Sequence, residues 1–306
     1  MCVVKIFDMN LKIILLSLLI LSFEQTTAQI DSLVLKNELL ELSSIKALRM
    51  PDDTNYSQKQ NGDVIRIADA FAYTLTSPIR WEGEDWRHIG MTIGGTLLLS
   101  LADEPMYDIM KNNKSKTANY LAEFGYHNGK PYAAYGSAGG FYAVGWLIDD
   151  QWIRETAVVL TTAYATSGVL QAVFKKVVGR ARPTEGFGNY EFRPFRNDAG
   201  FSSFPSGHTQ IAFVTAMVLA ERVDQTWLKA VFYTGAAVTM ASRMYVNAHW
   251  LTDVTLGAVL GYFCTNTVIR RLEQNRYGKP FTDFGKNKIR WQLTPSLNGI
   301  GVIGTF

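Results

Sequence analysis

Phe204-Pro205-Ser206-Gly207-His208-Thr209 brings together a small-residue turn, a helix start and one of the four histidines in this 306-residue chain. Proline suits the first turn of a helix, because the N–H it lacks would have no partner there. The uncharged run 209–220 reads as the helix that follows. The first amides of such a helix have no acceptor within it and carry partial positive charge. Ser206 adds a hydroxyl, and Gly207 lets a ligand approach the backbone closely. The turn therefore predicts an anion site at a helix N-terminus, with phosphate as its natural guest.

The helix after this turn is one of a series. Charge-free stretches recur at 89–102, 131–147, 156–174, 209–220, 230–242 and 254–269, and each predicts a helix. The expected fold class is all-α, a bundle of about six core helices. A bilayer crossing takes about 20 apolar residues, with about 17 as the lower limit. Several of these stretches are shorter and rich in Thr, Gly and Ala, and a mean hydropathy of +0.01 is low for six crossings. Small residues nevertheless suit close helix packing in lipid, and tryptophans near the ends of the stretches suit an interfacial belt. The bundle is expected to be membrane-embedded. Arg270, Arg271, Arg276 and Lys279 follow the last stretch, which puts that end in the cytoplasm by the positive-inside tendency.

The flanks divide the chain. In residues 1–28, Lys5 and Lys12 accompany the apolar run 13–21, and Thr26-Thr27-Ala28 supplies small residues at a cleavage site, the pattern of a secretory signal peptide. Residues 29–62 predict an N-terminal helix (Leu35, Leu39, Leu42) ended by Pro51, then a polar linker with Asn61-Gly62. Residues 63–276 form the main domain. In the tail, 277–306, Trp291 to Pro295 and Ile300 to Ile303 flank 296–299 like a β-hairpin. A net charge of +3, with no Lys/Arg run interleaved with aromatics, excludes nucleic acid as a partner. Cys2 and Cys264 predict neither a disulfide nor a cysteine metal site.

Two further stretches carry chemistry. The helix over 156–174 runs into Lys175-Lys176-Val177-Val178-Gly179-Arg180-Ala181-Arg182-Pro183, four cations at a helix end. Such a cluster complements the helix dipole or anchors at a membrane surface even without a ligand. Lys176 and Arg180 either touch substrate or lie solvated. Downstream come Ser242-Arg243 and His249-Trp250-Leu251-Thr252-Asp253. If His249 stands on a helix, Asp253 shares its face four residues on. A neutral imidazole, with an unperturbed pKa of about 6.5, can attack through one nitrogen while a carboxylate fixes the other. His88 and His127 receive no role.

Taken together, the blocks resemble the type 2 phosphatidic acid phosphatase superfamily, whose pattern is Lys, six residues, Arg-Pro; then Pro-Ser-Gly-His; then Ser-Arg, five residues, His, three residues, Asp. This chain is similar at every fixed position: Lys175, Arg182 and Pro183; Pro205 to His208; Ser242, Arg243, His249 and Asp253. The resemblance spans about residues 89–271 and implies His249 as the nucleophile forming a phosphohistidine, Asp253 as its orienting carboxylate and His208 as general acid. It implies that Lys175, Arg182 and Arg243, with Ser206 and the Gly207 N–H, hold the phosphoryl oxygens, with no metal and no cofactor. The implied substrates are lipid phosphates, of the phosphatidic acid, phosphatidylglycerol phosphate, lipid A or isoprenyl diphosphate type, and the implied setting is the bacterial cell envelope among membrane lipids. With residues 270–271 cytoplasmic, the motif-bearing helix ends gather at the opposite, periplasmic face of the inner membrane. The alternatives are a vanadium-dependent haloperoxidase using the same pocket, a soluble nonspecific acid phosphatase, and a non-catalytic lipid-binding protein.

Overall fold

The Asp150 carboxylate accepts the Ile153 amide at 3.0 Å and caps the longest helix of the described residues, Gln151–Val178, which ends on Gly179 in the left-handed region (φ 58°). Buried threonines recur along this helix, and each returns its hydroxyl to the preceding turn: Thr156 to the Trp152 carbonyl at 2.8 Å, Thr162 to Val158 at 2.7 Å and Thr166 to Thr162 at 2.8 Å. Polar side chains thereby enter the core with their hydrogen bonds made. This is how a buried helix coexists with so modest a mean hydropathy.

The computed structural model describes residues 62–277, 290–296 and 299–305, with side chains through residue 275. In chain order the helices are α1 (Asp63–Leu75), α2 (Gly83–Leu99), α3 (Asp103–Asn112), α4 (Lys116–Asn128), α5 (Pro131–Leu147), α6 (Gln151–Val178), α7 (Gly207–Glu221), α8 (Thr226–Tyr245) and α9 (Leu251–Tyr277). The six charge-free stretches fall in α2 and α5 to α9, the first running on into a 3-10 turn over Ser100–Ala102. Helices α1, α3 and α4, which carry more charge, were not anticipated. The signal peptide and N-terminal helix expected over residues 1–61 lie outside the described residues. In the tail, Arg290–Ser296 pairs antiparallel with Gly299–Thr305.

Helix α6 is the hub, packed on α1, α5, α7 and α9, while α7 also meets α8 and α9. The core is built largely from small and branched side chains, among them Ala70, Ala138, Ala157, Leu160, Val214, Val218 and Val268. Two glycines bring α9 against α7: a Cβ on Gly257 would lie 2.5 Å from the Ser206 carbonyl oxygen, and one on Gly261 3.0 Å from that of Gln210. Far from residues 205–208, α1 is pinned by ion pairs. Arg66 grips Glu155 through two hydrogen bonds of 2.7 Å, and Arg271 grips Asp69 through two of 2.8 Å.

The structure departs from the sequence reading at two points. Helix α7 begins at Gly207 with Ser206 as its N-cap, so Pro205, which follows a cis peptide bond, precedes the helix rather than occupying its first turn. His249 stands in the turn before α9, not on it. Among the described residues only α6 is long and apolar enough to cross a membrane; α7, with 15 residues, is too short for the purpose. Helix α2 buries no residue against the bundle and leaves Met91, Ile93, Leu97 and Leu98 more than half exposed.

Candidate active site

Asp253 occupies the third position of α9, and its Oδ2 accepts the Trp250 amide at 2.8 Å, one arm of a capping box. The same carboxylate accepts the Ser203 hydroxyl and, at 2.8 Å, Arg180 Nη1. Arg180 is itself fully engaged. It donates to Asp103 at 2.7 Å, to the Thr252 hydroxyl at 2.6 Å, and to the Asn189 carbonyl at 2.7 and 2.9 Å. Thr252 closes the ring by donating its amide and hydroxyl to Asp103 at 2.9 and 2.7 Å. A buried guanidinium thus lies between two buried carboxylates, with its donors satisfied. The sequence offered Arg180 as a substrate contact or a solvated residue; the structure makes it neither.

His249 is held by the same assembly. Its Nδ1 lies 2.7 Å from the Ser203 carbonyl oxygen and 3.8 Å from Asp253 Oδ2. A carbonyl can only accept, so Nδ1 carries the proton and Nε2 keeps its lone pair. Direct orientation therefore comes from the Ser203 backbone. Asp253 acts one step back, through the Ser203 hydroxyl and through its charge. Burial, with Lys175 and Arg182 adding to it, holds the His249 imidazole down to about 4 against the pull of Asp253.

The cations converge from separate elements. Lys175, in the last turn of α6, donates to the Ser202 carbonyl. Arg182 follows the Gly179 turn and reaches the Ala199 and Ala248 carbonyls at 2.9 and 3.1 Å and the Ser202 hydroxyl at 3.2 Å. Arg243, in the last turn of α8, donates Nε to Ser242 Oγ at 3.1 Å, and its guanidinium lies 5.0 Å from the Tyr126 ring centroid. All three spend donors on neutral oxygens, which leaves their positive charge for an anion. Burial keeps Arg182 below its usual range.

His208 opens α7 with its ring stacked on Tyr126, centroids 5.5 Å apart and planes at 22°. Its Nε2 is buried and has no partner among the described residues. Burial, then the charges of Arg243, His249, Lys130 and Lys175, push this imidazole down to about 3. Lys175 thus acts on both histidines, Arg182 on His249, and Arg243 on His208, so the five groups share one neighbourhood. Ser206 is buried, with its amide donated to the Asp253 carbonyl at 2.9 Å and its hydroxyl accepting from Thr209 at 3.1 Å. Gly207 lies against Gln171, whose Nε2 would stand 2.9 Å from an added Cβ.

Several contributors escaped the sequence. Ser203 works through its carbonyl, which no residue type advertises. Asp103 meets Arg180 from 77 positions away. Tyr126 comes from the last turn of α4 and Lys130 from the link to α5, where a Cβ on Gly129 would lie 2.6 Å from His208 Cβ. Among the described residues no group of three or more His, Cys, Asp or Glu is placed to hold a metal ion.

Residues 156–277 match the PAP2 superfamily. The chain is 33% identical over 107 residues to a lipid A 1-phosphatase of Rhizobium etli, an alignment covering 33% of this chain and 44% of that protein. It is 32% identical over 110 residues to an undecaprenyl-diphosphatase of Sulfolobus acidocaldarius, covering 35% and 51%. The chain thus spans about half the length of these curated relatives. A crystal structure described as the first transmembrane PAP2 type phosphatidylglycerolphosphate phosphatase from Bacillus subtilis superposes with a TM-score of 0.46 at 21% identity, over 58% of this chain and 92% of that one.

Proposed function

We infer that this chain, which belongs to the PAP2 superfamily through residues 156–277, is a metal-independent phosphatase that hydrolyses phosphomonoester or diphosphate groups of lipids through a phosphohistidine. The observation that carries the reading is His249, whose Nδ1 proton is committed to the Ser203 carbonyl so that Nε2 is free to attack, beside cations that have no carboxylate partner among the described residues. Nε2 attacks phosphorus, the bond to the leaving oxygen breaks, and His208 protonates that oxygen. Water then attacks phosphorus and gives a proton to His208, while the bond to Nε2 breaks, releasing phosphate and restoring His249. Lys175, Arg182 and Arg243, with the Ser206 hydroxyl and the Gly207 N–H, hold the phosphoryl oxygens, since this chemistry is catalysed mainly by positioning and charge. Asp253 steadies His249 through Ser203.

The two imidazoles fix the expected pH dependence. His249, at about 4, is neutral and nucleophilic above that pH. Burial and the surrounding cations hold His208 at about 3, so in the free protein its imidazole is neutral at pH 7 and the proton it passes to the leaving oxygen arrives with the substrate. A phosphomonoester keeps its second proton below about pH 6. The kcat/KM for phosphatidic acid is therefore expected to peak between about pH 4 and pH 6, then fall roughly tenfold per unit on the alkaline side. A rate that is flat from pH 5 to pH 8 contradicts this assignment.

Residues 63–276 would form the catalytic domain, behind a cleaved signal over 1–28 and ahead of the tail 277–306. Helix α6 as the crossing helix and the exposed apolar side chains of α2 support attachment to the inner membrane. Residues 270–271 would be cytoplasmic and the site would face the periplasm; both histidines stand at that end of the bundle, outside the apolar stretches. The test is phosphate release by the purified full chain from phosphatidic acid, phosphatidylglycerol phosphate, lipid A and a prenyl diphosphate, with and without EDTA. Release from at least one, unchanged by EDTA, is expected. No release from any overturns the reading.

A further inference from the structure

Lys130 stands at the N-cap of α5, immediately after the glycine that packs against His208. Its ammonium lies 4.0 Å from the centroid of the Tyr126 ring. That one ring also stacks on His208 at 5.5 Å and lies 5.0 Å from the Arg243 guanidinium, so an aromatic plate joins three basic groups. Lys130 is half-buried and forms no ion pair with a carboxylate among the described residues. It belongs to none of the motifs that hold the scissile phosphoryl group.

We propose that Lys130 is a specificity-determining residue that receives a second phosphate carried on the leaving group, so that the preferred substrate is a lipid diphosphate rather than a simple monoester. The inference rests on the phosphatase reading and goes beyond it. His249 approaches phosphorus from one side and His208 serves the oxygen that departs on the other, so a cation beside His208 marks the leaving-group side. When an alcohol leaves, protonation by His208 removes the charge that develops there. When the terminal phosphoryl group of a diphosphate is transferred, the bond from phosphorus to the bridging oxygen breaks and its electron pair departs on a lipid monophosphate. That oxygen takes the His208 proton, while the remaining phosphate oxygens keep their charge and need a cation. Lys130 supplies it as a mobile point charge on a flexible stem. Its charge also acts on His208, which fits its place at that side of the site.

The experiment compares kcat/KM for a prenyl diphosphate and for phosphatidic acid in the full-length wild type, Lys130→Met and Lys130→Arg, together with inhibition by inorganic pyrophosphate and inorganic phosphate. Methionine keeps the length of the stem and removes the charge. Lys130→Met is expected to lower the ratio of diphosphate to monoester kcat/KM by about tenfold, and to weaken inhibition by pyrophosphate more than that by phosphate. Lys130→Arg is expected to recover most of the ratio. An unchanged ratio in Lys130→Met, an equal loss on both substrates, or no recovery in Lys130→Arg overturns the role of Lys130. A wild-type chain that hydrolyses phosphatidic acid but no diphosphate overturns it as well and leaves the phosphatase reading standing. A wild-type chain inert on every lipid phosphate overturns that reading, and this one with it.

Discussion

His249→Ala is expected to lower kcat for phosphate release from a lipid phosphate by about 10⁴-fold or more, as loss of a covalent nucleophile does elsewhere. Lys175, Arg182 and Arg243 stay in place in this variant, held by carbonyls and hydroxyls that His249 does not supply. Substrate should therefore still bind, and the loss should fall on kcat far more than on KM. Alkaline quench of the wild type during turnover of a ³²P-labelled lipid should trap a base-stable, acid-labile phosphoprotein, and the variant should trap none. A variant that keeps most of its activity would show that some other group attacks phosphorus.

Arg180→Met should produce the largest loss of stability. It removes the cation shared by Asp103 and Asp253 and leaves two fully buried carboxylates without their counter-charge. Breaking a buried pair from one side typically costs about 3–5 kcal/mol, because the remaining charge stays desolvated. The expected readout is a large drop in the unfolding midpoint of the detergent-solubilised chain. Arg180→Lys should fall between the two, since an ammonium cannot reproduce the planar fork that reaches Asp103, Asp253, Thr252 and the Asn189 carbonyl together. A midpoint unchanged in Arg180→Met would mean that the carboxylates take up protons or reach water at little cost.

How legible the molecule was in its sequence depended on the kind of interaction. The apolar helices could be read because a buried helix excludes charge over its whole length, and all six charge-free stretches lie in helices. Helices α1, α3 and α4 were hidden because their stability comes from partners far along the chain, such as Glu155 for Arg66 in α1. The convergence of Lys175, Arg182, His208, Arg243 and His249 was foreseeable, since an up-and-down bundle brings alternate helix ends to one face. The link between His249 and Asp253 was read correctly as proximity and incorrectly as a shared helix face. Spacing by four gave the neighbourhood, but α9 begins two residues after His249, and a backbone carbonyl takes the place assigned to the carboxylate. Carbonyl acceptors leave no trace in residue identity, so this part of the site could come only from coordinates. Crossings of the bilayer were harder to read for a related reason, because runs of Ala, Gly and Thr signal close packing as readily as contact with lipid.

The Arg180 assembly also sets how little of this polypeptide could be transplanted. Residues 156–277 bear every diagnostic block, yet excising them as a portable unit would discard Asp103, and with it one of the two anions that clamp Arg180, along with the Tyr126 plate on which His208 rests. The recognisable signature is thus narrower than the working machine, and grafts or truncations designed on the signature alone would sever the part of the scaffold that gives its histidines their surroundings.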